Sequence, residues 1–261
     1  MVMADPLPIS VAIVCKDSAR TIEAVLASVS GWVAEIVAVD SGSTDGTIET
    51  LERYGARVIR SDWLGHVKTK QKALEACAQA WVLCLDSDEP VEQDLRQSIE
   101  SFVRADGRGA DGAMVNRKIW YAGRFLDHAW QPEWRLRLVR ARKAAWGGHD
   151  PHDKLELTGG GEVEKLAGTL RHESFVTFAD QFAKDSGYAR MMAANLHAAG
   201  ARGSRLRCVT SPIGAFAKQM LVKQAWRDGR AGWLAALATA SATLQKHAML
   251  LELSLKDGER G

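Results

Sequence analysis

Along the first half of the chain, short apolar runs alternate with stretches whose apolar residues recur every three or four positions. Residues 9–15 (Ile-Ser-Val-Ala-Ile-Val-Cys) read as a buried strand. Ile22, Val25, Leu26 and Val29 follow at helical spacing, with Ser18 placed to cap the helix. The same rhythm predicts strands at 35–39, 57–60 and 81–85 and helices at 48–54 and 67–79. Pro90 suits the first turn of a further helix. A β-α-β-α-β-α-β order predicts a mainly parallel sheet covered on both faces, with right-handed crossovers. The carboxyl ends of its strands then share one edge, where such sheets bind ligands. The two segments richest in acids and hydroxyls, Asp40-Ser-Gly-Ser-Thr-Asp-Gly-Thr47 and Asp86-Ser-Asp-Glu89, fall on that edge.

Beyond residue 110 the rhythm changes. Strands are predicted at 113–121, 135–139 and 163–170, and the glycine-rich 144–161 reads as loop. From 175 onward the pattern is helical: 175–199, 211–228 and 230–255. The expected organisation is an α/β domain at 1–173 with a C-terminal helical extension at 174–261.

Composition narrows the class. The 261 residues are 46% hydrophobic and 25% charged, which suits a globular chain rather than a disordered one. No stretch reaches the ~20 apolar residues of a spanning helix, and the N-terminus lacks the basic and apolar regions of a secretory signal. The expected location is therefore cytoplasmic. Four cysteines without a C-x-x-C pair suggest neither zinc nor a disulfide framework. The net charge of +2 argues against nucleic acid as a partner, yet residues 201–230 hold seven Lys/Arg against one Asp.

The acidic segments carry the chemistry. A D-x-D turn at Asp86 and Asp88 can converge two carboxylates on Mg²⁺ or Mn²⁺ that also meets phosphate oxygens. The segment at 40–47 matches neither G-x-G-x-x-G nor G-x-x-x-x-G-K-[S/T], so a dinucleotide-binding or P-loop reading loses its main support. Asp40 at a strand end can accept from a base N–H, whereas Ser43, Thr44 and Thr47 fit a capped turn. Lys68, Lys70 and Lys72 would steer phosphate.

Val-Asp-Ser-Gly-Ser-Thr-Asp-Gly-Thr (39–47) followed by Leu-Asp-Ser-Asp-Glu (85–89) resembles the family 2 glycosyltransferases of the GT-A fold. Trp63-Leu-Gly65, Gln71-Lys72, Gly123-Arg124, Pro132-Glu133, Arg137-Leu138, His152-Asp153 and Leu166-Ala-Gly-Thr-Leu-Arg-His172 resemble, in order, the bacterial lipopolysaccharide inner-core β-glucosyltransferase subgroup. The resemblance covers residues 9–175 well and the helical tail loosely. It implies an inverting, metal-dependent transferase moving a hexose, glucose from UDP-glucose, onto a lipopolysaccharide-core or related cell-envelope glycan. By position, it implies that Asp17, Asp40 and Ser41 meet the nucleotide and Lys72 the diphosphate. Asp86 and Ser87 would touch the ribose, and Asp88 with Asp86 would hold Mg²⁺ or Mn²⁺.

An inverting transfer needs a base for the acceptor hydroxyl. Asp153 is the choice, with Asp150 and Glu89 as alternatives, and His152 would orient the base or complete the metal shell. The subgroup usually shows His-Glu where this chain has His152-Asp153. Arg137, Trp130 and Arg124 are expected to take an anionic acceptor through arginine forks and sugar stacking. The basic, tryptophan-bearing tail predicts peripheral contact with the inner membrane's cytoplasmic face. Competing classes are a sugar-1-phosphate nucleotidyltransferase, for which Cys15-Lys-Asp-Ser18 is a poor phosphate loop, and a non-catalytic nucleotide-sugar-binding protein.

Overall fold

The computed structural model describes residues 5–149 and 152–258, although the side chains of His149 and His152 fall outside the description. Contact density divides the chain into two units. The first holds Met1–Lys118 and Glu133–Glu173, and the second Ile119–Pro132 and Ser174–Gly261. The second unit thus recruits a short inner segment in addition to the helical tail.

In the first unit the expected alternation is present: β1 (Leu7–Cys15), α1 (Ile22–Val29), β2 (Val33–Asp40), α2 (Thr47–Arg53), β3 (Arg57–Arg60), α3 (His66–Glu75), β4 (Trp81–Asp86) and α4 (Gln93–Arg104). β5 (Gly112–Tyr121), β7 (Trp134–Arg140) and β10 (Val163–His172) extend the sheet, and β6 (Arg124–Phe125), which belongs to the second unit, pairs with the end of β5. Its order is β10-β5-β7-β4-β1-β2-β3, with β6 on β5. β1 pairs in parallel with β2 and β4, and β2 with β3, while β7 runs antiparallel to both β4 and β5. The sheet is therefore mixed, a parallel α/β centre with an antiparallel wing.

The two-residue period of the strands explains the layers. Leu7, Ile9, Val11, Ile13 and Cys15 of β1 join α1 and α4 in one core, whose helical contributors include Val25, Leu26, Leu95, Ile99 and Phe102. Ala12, Val82, Cys84 and Val139 face the other way, against Ala73 and Leu74 of α3. Each large side chain buried in these layers contributes about 1.5–3 kcal/mol. The second face is completed by a hairpin of β8 (Ala144–His149) and β9 (His152–Leu157), which puts Trp146 and Leu155 into the core. Residues 144–161, expected as loop, are thus largely strand: the alternation of Trp146 and Leu155 outweighs the glycines beside them.

The second unit contains α5 (Phe178–Ala198), α6 (Arg205–Ala217) and α7 (Gly229–Gly258). α5 opens with a capping box in which Thr177 and Asp180 bond each other's backbone. The helix expected over 211–228 instead starts at Arg205 and ends in a π turn at Lys218–Val222 and a 3₁₀ turn at Ala225–Asp228. Gly203 sits so near α7 that a Cβ there would lie 2.2 Å from Leu251 Cα. Asp228, 1% exposed, accepts the N–H groups of Asp127 (3.1 Å), His128 (3.0 Å) and Ala129 (2.8 Å). Among the described residues no helix is long and apolar enough to cross a membrane.

Candidate active site

Three loops leave the carboxyl edge of the parallel strands and are stitched together. After β1, Asp17 adopts φ 47° and its Oδ1 accepts from Thr44 N–H at 2.9 Å, while its own N–H donates to Ser43 Oγ at 2.8 Å. Ser18 N–H donates to Thr47 Oγ1 (2.8 Å) and Ala19 N–H to Asp45 Oδ2 (2.9 Å). Ser18 Oγ pairs with Ser87 Oγ at 2.9 Å, joining the first loop to the D-x-D turn. Ser18 was expected to cap α1, but Thr21 occupies the cap position and the Ser18 hydroxyl holds the loops instead.

Asp40 is buried. Its carboxylate accepts from Gly42 N–H (2.9 Å), Ser43 N–H (3.0 Å) and Ser43 Oγ. Burial pushes its pKa up, but the hydrogen bonds of Ser43 and Gly42 win and hold it below the usual carboxylate range. Both oxygens serve the loop, which shapes the edge expected to meet a base. The neighbouring Ser41 Oγ is buried without a hydrogen-bond partner among the described residues, an open polar group at that edge.

The D-x-D turn enters a charge network. Asp86 Oδ1 lies 2.7 Å from Lys70 Nζ and Oδ2 lies 2.9 Å from Arg137 Nη2, with Arg117 Nη1 at 3.9 Å. Glu89, fully buried, pairs with Arg117 (3.0 Å) and Arg137 and accepts from Asp86 N–H at 3.0 Å. Glu133 binds Arg117 at 2.7 Å and Arg135 at 2.6 Å. Lys70 also reaches Asp153 Oδ2 at 2.9 Å and stacks over the Trp146 ring at 4.7 Å. Burial opposes charge on Asp86, but Arg137 and Lys70 overcome it and hold the carboxyl well below its usual range. Lys70 is shifted upward: its burial is outweighed by Asp86 and Asp153, so it stays an ammonium.

Asp88 Oδ2 lies 3.5 Å from His172 Nε2 at the end of β10. Gly168 lets β10 arrive there. It has φ 106°, and a Cβ on it would lie 2.4 Å from Leu95 N at the start of α4. Glu173 N–H then donates to Asp88 O at 2.9 Å. A carboxylate and an imidazole from two strand ends fit a divalent cation that draws its remaining ligands from phosphate oxygens. Asp86 fits less well, because its oxygens face Lys70 and Arg137. Among the described residues no third His, Cys, Asp or Glu completes a metal cluster.

The expected site residues therefore divide. Asp17, Asp40, Ser41, Asp86, Ser87, Asp88 and Asp153 gather on the loops and strands at this edge. Lys72 is turned to Ser61 Oγ at 2.9 Å, whereas Lys70, two residues away, holds the acids. Arg137, expected to bind the acceptor, is 4% exposed and ion-paired. Trp130 belongs to the second unit, where its indole N–H donates to Thr239 Oγ1 at 2.9 Å and its ring neighbours Tyr121 and Phe175. The side chain is partly buried there. Arg124, also in the second unit, is exposed after the positive-φ turn Ala122–Gly123. Asp150 and the His152 side chain lie outside the described residues. Glu89, the other alternative base, has both oxygens engaged. Lys70, Arg117 and His172 had no role assigned individually, and only their strand or helix register could have marked them.

The family model for glycosyl transferase family 2 matches residues 10–155, which include every loop just described. The chain belongs to that family. It is 26% identical to the lipopolysaccharide core biosynthesis glycosyltransferase LpsC of Rhizobium meliloti, with 98% of each chain covered. It is 28% identical to an uncharacterised glycosyltransferase of Rickettsia typhi, over 95% of this chain and 88% of that one. Among solved structures, Staphylococcus aureus TarS is similar with a TM-score of 0.49 and 17% identity, over 70% of this chain and 39% of TarS. The chain thus spans nearly all of LpsC but under half of TarS. As a member of the family it is a glycosyltransferase with a mixed sheet whose central strands are parallel and flanked by helices.

Proposed function

We propose that this chain is an inverting transferase that moves a hexose, glucose from UDP-glucose, onto a lipopolysaccharide-core or related cell-envelope glycan on the cytoplasmic side. The full-length likeness to LpsC supports the acceptor class. The observation that carries the mechanism is Lys70, whose ammonium bridges Asp86 at 2.7 Å and Asp153 at 2.9 Å. One buried cation thereby sets the candidate base beside the acidic turn.

In the reaction, Asp153 takes the proton of the acceptor hydroxyl as that oxygen attacks the anomeric carbon from the face opposite the leaving group. The carbon–oxygen bond to the diphosphate breaks, and its electron pair leaves with the nucleoside diphosphate. Lys70 meets the arriving phosphate charge in a site where few waters screen it. The Asp17 and Asp40 loops shape the nucleoside edge, and Ser41 Oγ offers it an unsatisfied hydroxyl. Asp88 and His172 would hold a divalent cation, which would supply neutralisation of the diphosphate charge.

The test is transfer from UDP-glucose to a truncated lipopolysaccharide core in Mn²⁺, with the product's anomeric configuration read by NMR. A β-linked glucose supports the reading. An α-linked product removes inversion, and no turnover with UDP-glucose while another nucleotide sugar is consumed removes the assigned donor.

A further inference from the structure

Among the described residues, every exposed large apolar side chain except Trp63, Leu64 and Val163 lies in the second unit. Several are far from marginal: Leu206 is 71% exposed, Val209 61%, Ile213 63%, Leu221 75%, Val222 71% and Trp226 57%. Leu206, Val209 and Ile213 recur at i, i+3 and i+7, so they form one stripe along α6. The residues on the other side, Cys208, Ser211 and Ala215, are partly covered, and α6 packs on α7. The stripe is thus the outward face of a docked helix.

Charge selects what such a face meets. At about 100° per residue, Arg205 and Arg207 flank Leu206 on either side of the stripe. Both are exposed, as are Lys218 and Arg230, and none of the four has a carboxylate partner among the described residues. The one acid between 201 and 230, Asp228, is buried under three backbone N–H groups and offsets nothing at the surface. An apolar stripe rimmed by arginines that can snorkel matches the boundary of an anionic bilayer, where apolar side chains enter the acyl region and cations meet headgroup phosphates. A second copy of the chain would present the same uncompensated cations to themselves.

We infer that α6 and the turns after it, residues 205–227, form a docking surface for an anionic phospholipid membrane. Chain binding is independent of the reaction proposed above, so neither reading falls with the other.

The experiment is flotation of the full chain with phosphatidylcholine vesicles, with and without phosphatidylglycerol, across a salt series. The chain floats with the anionic vesicles alone, and salt releases it. Each of Arg205→Gln and Arg207→Gln weakens binding about five-fold, the scale of one basic contact at such a surface. A triple variant, Leu206→Ser with Ile213→Ser and Trp226→Ser, loses flotation while its circular dichroism and thermal midpoint match the unmodified chain. Absence of flotation with anionic vesicles, or equal flotation with neutral ones, overturns the inference. So does a dimer in sedimentation velocity that the triple variant converts to monomer, which would assign the face to a second copy.

Discussion

The two units solve the problem of apolar and charged residues in opposite ways. In the first, strands with a two-residue period bury apolar side chains on both faces of a sheet, and charged groups go inside only in balance. Lys70, Arg117, Arg135 and Arg137 face Asp86, Glu89, Glu133 and Asp153 in one network. In the second, helices leave Leu206, Ile213, Leu221 and Trp226 outside, and Arg205, Arg207, Lys218 and Arg230 have no carboxylate partner among the described residues. A balanced buried network holds groups in fixed positions for chemistry. An uncompensated surface has free energy left to gain by association.

The contrast breaks first at Arg137. Its replacement by Met leaves Asp86 with Lys70 and Glu89 with Arg117 but one cation short, and removal of one member of a buried ion pair costs about 3–5 kcal/mol. Urea unfolding should show that loss in full. If Arg137→Met instead keeps wild-type stability and raises only the KM for acceptor, the residue is an acceptor fork after all. Next in size is Asp228→Asn, which weakens the cradle for the 127–129 N–H groups by about 1–3 kcal/mol. Hydrogen exchange should then quicken at those three amides.

Glu133 gives a pH-dependent test. Burial raises its pKa, but Arg117 and Arg135 overcome that and bring it from 4.5 down to about 2. A carboxyl depressed on folding contributes stability that is complete above its unfolded value and is lost as pH falls toward the folded one. The stability difference between the wild type and Glu133→Gln should therefore be constant above about pH 5 and shrink between about pH 4.5 and 2. A difference that is flat across that window denies the ion pairs. The smallest effect belongs to the other unit: Leu206→Ser should change unfolding free energy by no more than about 0.5 kcal/mol, because the side chain is largely exposed.

Much of this organisation was legible in the residues, unevenly. β1 through β4 announce themselves because each strand is bounded by a turn rich in Asp, Ser and Gly, and the helices between them keep their apolar spacing. The edge loops follow from that alternation alone. The β8–β9 hairpin was not legible, because Gly147 and Gly148 mask a strand whose evidence is two inward residues, Trp146 and Leu155. Lys70 could not be separated from Lys68 and Lys72 by charge. Only the helix face decides that Lys70 is buried beside acids, Lys68 exposed, and Lys72 turned to Ser61. His172 reaches Asp88 from more than eighty residues away, through a register and a Gly168 contact that local pattern does not encode.

The central claim is that the first unit places Asp153 as the base of a glycosyl transfer, and Asp153→Asn measures it most directly. Calorimetry should find UDP-glucose bound in Mn²⁺ with unchanged affinity, while transfer to the core acceptor falls by about 10²–10⁴-fold, the usual worth of a positioned base. Transfer by Asp153→Asn at the wild-type rate would contradict it.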